Sequence, residues 1–324
     1  MVCGTTNYFA AALSFIFTST VVTAKFIKNS ILYLFAKTAF LFALLLPRAA
    51  GLRLFGAAGR LAFLFPNREK RRTLEHLRCI FGATWTEDKI SVTARSVYES
   101  LGRNLFDAVK ISRAPEKTFH AIVKHDDLAE FKSAFDRGKG VIVITAHVGC
   151  FELLLHFFAR HGFKSFAIGQ RSFDQRLDSL IRAIRSGEDI DYMDRTESPR
   201  KIIRWLQEGR AFGVLIDQDT RVEGVFARFL GKIAYTPSGP VRMAMRFKIP
   251  AIVATTARQP DNTHYVYLSR ILEFADTGDF EKDLAANVQM ANDLICETIM
   301  RFPEQWVWMH RRWKTRPPPI SLKA

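Results

Sequence analysis

The chain has 324 residues, of which 48% are hydrophobic and 28 are Phe, with a formal charge of +15 and a pI near 9.9. That length allows one large domain or two small ones. The charge points to polyanionic partners, whether nucleic acid, an anionic membrane or a phosphorylated substrate, while the apolar content argues against a protein that only binds nucleic acid. Cys3, Cys79, Cys150 and Cys296 are scattered with no C-x-x-C pair, which argues against a zinc ribbon or a disulfide framework and fits a reducing compartment.

The N-terminus is the most membrane-like part. Met1–Ala24 carries no charged residue, and Ile31–Pro47 is apolar apart from Lys37. Without a basic stretch ahead of the first apolar run, a cleaved signal peptide is a poor fit. Lys25, Lys28, Arg48 and Arg53 flank the two runs and suit an anionic surface. Residues 1–66 are therefore expected to anchor the protein, as one spanning helix or a helical hairpin; a pair of buried core helices is the alternative. Residues 67–324 are expected to carry the chemistry.

After Pro66, "NREKRRTLEHLRCIFG" predicts a basic helix over 67–82, and an amphipathic helix is expected over 85–106. From about residue 120 a helical pattern repeatedly feeds a short apolar strand that stops at a polar residue. "VIVITA" stops at His147, "FKSFAIG" at Gln170–Arg171 and "AFGVLID" at Asp217; "PAIVATT" and "HYVYLSR" follow. This alternation predicts an α/β fold with a mostly parallel sheet flanked by helices. Ligands in such sheets bind beyond the carboxyl ends of the strands, so His147, Arg171 and Asp217 are expected to share one crevice.

His147 and Glu152 lie five apart across Gly149. In one continuous helix they would sit about 140° around the axis, but a strand-to-helix turn can fold the imidazole towards the carboxylate. A histidine side chain titrates near ~6.5, and a carboxylate accepting one ring N–H leaves the other nitrogen to deprotonate an alcohol. No G-x-S-x-G nucleophile and no metal-binding His-Glu-x-x-His is present, so direct attack by an activated hydroxyl is expected, with no metal and no cofactor. His156 reads as a satisfied core histidine. Asp217 fits two roles, ordering Arg171 or substrate, or capping the next turn. "TPSGP" (236–240) is either a phosphate-receiving helix start or plain helix initiation. "WVWMHRRWKTR" (306–316) suits a bilayer interface carrying phosphorylated lipid.

"TAHVGCFELL" resembles the His-x4-acid motif of the lysophospholipid acyltransferase-like superfamily. More narrowly the chain resembles the lipid A late (secondary) acyltransferases of the lauroyl/myristoyl type, through "LFALLLP", "GQRSFDQRLD", "GVLIDQD", "FLGKIAYTPSGPVRMAMRFKIPAIV" and "PEQWVWMHRRWKT". These stretches run in family order from about residue 30 to 316. The resemblance implies a glycerol-3-phosphate acyltransferase-like fold and acyl transfer from acyl-carrier protein to a hydroxyl of a phosphorylated lipid A precursor. It also implies a location on the cytoplasmic face of the anionic bacterial inner membrane. It makes His147 and Glu152 catalytic and Arg171, Asp217 and Gln218 substrate-binding. Gln175 stands where many members carry asparagine, and the uncharged leader lies outside the usual single anchor. Another lysophospholipid or glycolipid acceptor, or a non-catalytic lipid-binding homologue, are the alternatives.

Overall fold

The computed structural model describes residues 6–172, 174–197 and 199–318, with side chains from Phe26 onward except Pro199. Helix α1 (Thr6–Leu45) continues through both apolar runs without a turn, and Met1–Thr5 of the leader lie outside the described residues. The stretch Phe26–Leu45 is long and apolar enough to cross a membrane. Its side chains are largely bare, Phe35 being 72% and Leu45 80% exposed.

Pro47 ends that helix, and α2 (Arg48–Leu64) turns back onto the protein. After α3 (Arg68–Phe81), capped by the Asn67 side chain, comes α4 (Glu87–Ser112), capped by Thr86. α2 and α4 pack backbone to backbone through glycines. A Cβ on Gly59 would fall 2.1 Å from the Tyr98 carbonyl oxygen, and one on Gly102 2.1 Å from that of Phe55.

The remaining chain alternates as expected: α5 (Glu116–Ile122), β1 (Val123–His125), α6 (Ala129–Phe135), β2 (Val141–Thr145), α7 (Leu153–Arg160), β3 (Ser165–Gly169), α8 (Gln175–Arg185), β4 (Ile190–Asp194), α9 (Pro199–Gln207) and β5 (Ala211–Leu215). A hairpin of β6 (Gly224–Phe229) and β7 (Lys232–Pro237) interrupts the pattern before α10 (Gly239–Phe247), β8 (Ala251–Arg258), β9 (His264–Leu268) and α11 (Phe280–Arg301). The seven-stranded sheet has the order β1-β9-β8-β2-β5-β3-β4. All its pairs are parallel except β8 with β9. The fold class expected from the sequence is the one observed.

Successive residues of a strand face opposite sides, and β2 divides its apolar side chains accordingly. Ile142 and Ile144 join the larger core, with α10, α11 and the fully buried Trp306 and Trp308. Val141 and Val143 join the second core, with α5, α6 and α7. Buried on both faces, β2 is the centre of the molecule, and its carboxyl end opens where the chain order turns from β5 on one side to β8 on the other.

Candidate active site

β2 and β5 run parallel in a register that pairs Thr145 with Leu215. Two residues beyond that pair, His147 and Asp217 therefore leave neighbouring strands at the same level, about 4.8 Å apart laterally. The register alone brings them together. His147 Nδ1–H donates to Asp217 Oδ1 at 2.8 Å, and the His147 backbone N–H donates to Oδ2 at 2.9 Å. The indole Nε1–H of Trp306 donates to the same Oδ2 at 2.8 Å. Asp217 is fully buried. Burial opposes its charge, but the neighbouring His147 and these three hydrogen bonds outweigh it and hold the carboxyl well below the usual range.

The loop that carries the imidazole is built for close packing. Gly149 has φ +58°, and a Cβ there would lie 2.1 Å from the Thr256 carbonyl oxygen on β8. Its N–H donates to the Gln305 carbonyl, and Val148 forms a bridge with Trp306. The C-terminal segment thus threads behind the loop. Here an expectation is corrected: Trp306, Trp308 and Arg312 are fully buried, so most of "WVWMHRRW" backs the site instead of facing a bilayer. Arg312 donates to the Tyr235 carbonyl at 2.5 Å and to the Thr236 hydroxyl at 2.6 Å.

Glu152 precedes α7 but does not touch the imidazole. The hydrogen bond expected of it is made by Asp217, and the reason is register: Asp217 arrives on the adjacent strand, whereas Glu152 points across to α8. Arg185, at the end of α8, donates to Glu152 Oε2 from Nε at 2.8 Å and to Oε1 from Nη2 at 2.5 Å. Its Nη1 donates to the Tyr192 hydroxyl at 2.8 Å. Burial disfavours the guanidinium charge, yet the bond to Glu152 raises the Arg185 pKa overall. This pair rims an apolar cavity between α7 and strands β2, β3 and β5, walled by Val143, Leu154, Phe158, Ala167 and Leu215. The Thr145 hydroxyl, buried without a partner, also lines it.

Arg171 follows β3 on the same edge of the sheet as His147, but β5 lies between, so the two backbones are about 10 Å apart laterally. Its Nε donates to Asp194 Oδ2 at 2.9 Å, and its side chain is 70% exposed. Asp217 is engaged with His147 and Trp306, not with Arg171, and no helix follows it to be capped. The Gln218 amide nitrogen lies 3.1 and 3.0 Å from the two ring nitrogens of His147. His156 is buried and donates to the Ile184 carbonyl at 2.6 Å, the satisfied core histidine expected. Gln175 opens α8 in an exposed position. In "TPSGP", Ser238 precedes α10 with Pro240 in the first turn, and Ser238 makes no side-chain cap bond.

Arg185 and Tyr192 carry no signal in the sequence, and Trp306 and His310 fall in the 306–316 stretch that reads as a bilayer interface and not as part of the site. Nothing in spacing ties Arg185 to Glu152 across 33 residues. A strand-end aspartate on the unit after the histidine was a readable signal for Asp217, though not for its partner.

A family model for bacterial lipid A biosynthesis acyltransferases matches residues 23–315. The chain belongs to that family. It is 24% identical over 267 residues to the lipid A biosynthesis palmitoleoyltransferase of Escherichia coli K12, covering 80% of this chain and 83% of that one. The lipid A biosynthesis lauroyltransferase of the same strain is 23% identical over 278 residues, covering 84% and 88%. A Shigella flexneri lipid A biosynthesis acyltransferase is 24% identical over 267 residues. In this lipid A biosynthesis acyltransferase, the apolar cavity is lined by Thr145, at the end of the strand that leads to His147, and by Phe151, whose ring lies 4.8 Å from the imidazole.

Proposed function

We propose that this acyltransferase moves a fatty acyl group from the thioester of acyl-carrier protein to a hydroxyl of a lipid A precursor, with His147 as general base. The observation that carries this reading is the His147 imidazole, held by the buried Asp217 at the carboxyl end of the central strand beside an apolar cavity. Asp217 accepts from Nδ1, so Nε2 carries the lone pair. That nitrogen takes the proton of the acceptor hydroxyl as its oxygen attacks the thioester carbonyl carbon, and the carbonyl electron pair moves onto oxygen. Collapse of the tetrahedral intermediate re-forms the carbonyl, breaks the C–S bond and expels the thiolate, which takes the proton back from His147. No covalent acyl-enzyme is needed.

The acyl chain enters the cavity below Glu152 and Arg185, where each buried methylene contributes about 0.8 kcal/mol. Glu152 serves by fixing Arg185 at the cavity rim. Arg171 and Gln218 face the acceptor, with Arg171 suited to a phosphate. The bare face of α1 enters the inner membrane from its cytoplasmic side, because a run of about 20 apolar residues matches a bilayer core of about 30 Å. Lys110, Arg113 and Arg176 lie against that helix and suit anionic headgroups: Lys110 donates to the Leu44 carbonyl, and Arg113 and Arg176 lie over the rings of Phe40 and Tyr33.

Mass spectrometry of lipid A from a deletion strain tests the assignment. Restoring the gene should add one acyl mass, and restoring His147→Ala at equal protein level should not. Full acylation by His147→Ala would end the reading.

A further inference from the structure

His310 belongs to the C-terminal segment behind the site, and several bonds fix its neighbours. Arg72 donates to the Met309 carbonyl at 2.7 Å, and His76 Nδ1–H to that of Trp308 at 2.8 Å. The rings of His310 and His147 stand 5.1 Å apart, centroid to centroid, at 59°. Between them lies the Gln218 amide nitrogen, 2.6 Å from His310 Nε2.

That nitrogen is nearly equidistant from the two ring nitrogens of His147, at 3.1 and 3.0 Å. It therefore lies over the Nδ1–Cε1–Nε2 edge and leaves the in-plane lone pair of Nε2 open to an acceptor hydroxyl. An amide nitrogen carries two hydrogens. One is donated to His310 Nε2, which requires a neutral His310 with its own proton on Nδ1. Burial first, and the nearness of His147 second, push the His310 pKa down to about 4, which keeps it neutral. The other hydrogen remains beside His147 Nε2. An oxygen activated there attacks a carbon within bonding distance, so the oxyanion forms within reach of this N–H.

We propose that His310 is a positioning residue that aims the Gln218 amide at the oxyanion of acyl transfer. The proposal rests on the general-base reading of His147. A pre-aimed donor needs no reorganisation at the moment of reaction. Gln218 is held at one end by its chain neighbour Asp217 and at the other by His310, so the donor is fixed before substrate arrives.

Steady-state kinetics of the purified full-length protein in detergent test this, with acyl-carrier-protein thioester and lipid A precursor varied in turn. Removing an oxyanion donor costs about 10²–10³-fold in kcat, and Gln218→Leu should fall in that range. His310→Leu should lose roughly 10- to 100-fold in kcat as the donor is mis-aimed, with both KM values unchanged. His310→Gln, which offers an oxygen acceptor to the amide, should recover most of the loss. The double variant should be no slower than Gln218→Leu alone, because His310 acts through Gln218. Independent, multiplying losses, a change confined to KM, or wild-type kcat in His310→Leu would each overturn the proposal. An active His147→Ala would instead remove the base on which it rests.

Discussion

Asp217 shows how one residue's position fixes another's chemistry. Its side chain can accept from His147 only because β2 and β5 are paired neighbours, a fact of strand order that no local pattern reveals. The strand ends themselves were legible: apolar runs stopping at His147, Arg171 and Asp217 did mark one edge of the sheet. The error was to take the nearest carboxylate along the chain, Glu152, as the imidazole's partner. Glu152 instead meets Arg185, and both side chains are about one-fifth exposed, at 20% and 23%. Glu152→Gln removes the charge that balances the guanidinium, so the fold should lose stability, by about 1–3 kcal/mol for a partly buried pair. Thermal unfolding of Glu152→Gln, Arg185→Gln and the double variant measures this; the double variant should recover part of the loss, and additive losses would mean the two side chains act separately.

At the scale of elements, a buried charged cluster links the end of the N-terminal helices to the sheet. Arg48, just after α1, donates to both oxygens of Asp107 on α4, at 2.9 and 2.8 Å. Arg258 on β8 donates to Asp107 at 2.6 Å, and His264 on β9 at 2.9 Å. Burial works against the Asp107 charge, but the bonds from His264 and Arg48 outweigh it and hold its pKa low. Burial pushes His264 down to about 4, against the bond to Asp107. An unfolded histidine takes its proton near ~6.5, so the unfolded chain binds that proton first as pH falls. The stability His264 contributes above pH 6.5 is therefore lost progressively down to about 4, a loss of roughly 3 kcal/mol. Asp107 adds a further loss below ~3.9, where the unfolded carboxylate protonates first. The thermal midpoint should fall across this range, and His264→Gln should flatten the upper part. An unchanged slope in the variant would place the pH sensitivity elsewhere. None of this cluster was legible in the sequence, since its members lie as far apart as residues 48 and 264. Five strands of the sheet and the helices that feed them were, because their periodicity is local; β1, β4 and the β6–β7 hairpin were not, being short or less apolar.

For the whole molecule, composition and charge pointed to lipid, and the arrangement of α1 and α2 is consistent with that direction. Phe26, Ile31 and Phe35 on α1, and Leu54 and Leu61 on α2, are exposed. What composition misled on was the C-terminal tryptophan cluster, because a buried and an interfacial tryptophan have the same sequence signature. If α1 inserts, the protein should sediment with membranes and stay there in 1 M salt, which shortens the Debye length to about 3 Å, and leave only with detergent. Release by salt alone would mean that surface charge holds it.

The proposed base, His147, is held by Asp217 and not by Glu152, which bonds Arg185 instead. The most direct test is the acyl-transfer kcat of Asp217→Asn, set beside that of Glu152→Gln, in purified full-length protein assayed well below the unfolding midpoint of each variant. Asparagine keeps the size of the side chain but cannot stabilise the imidazolium, and the corresponding change in a catalytic triad costs about 10⁴-fold. This arrangement predicts a loss of at least about 10³-fold in kcat for Asp217→Asn, with KM little changed and Glu152→Gln far less impaired. Near-normal turnover by Asp217→Asn, with Glu152→Gln inactive though folded, would contradict it.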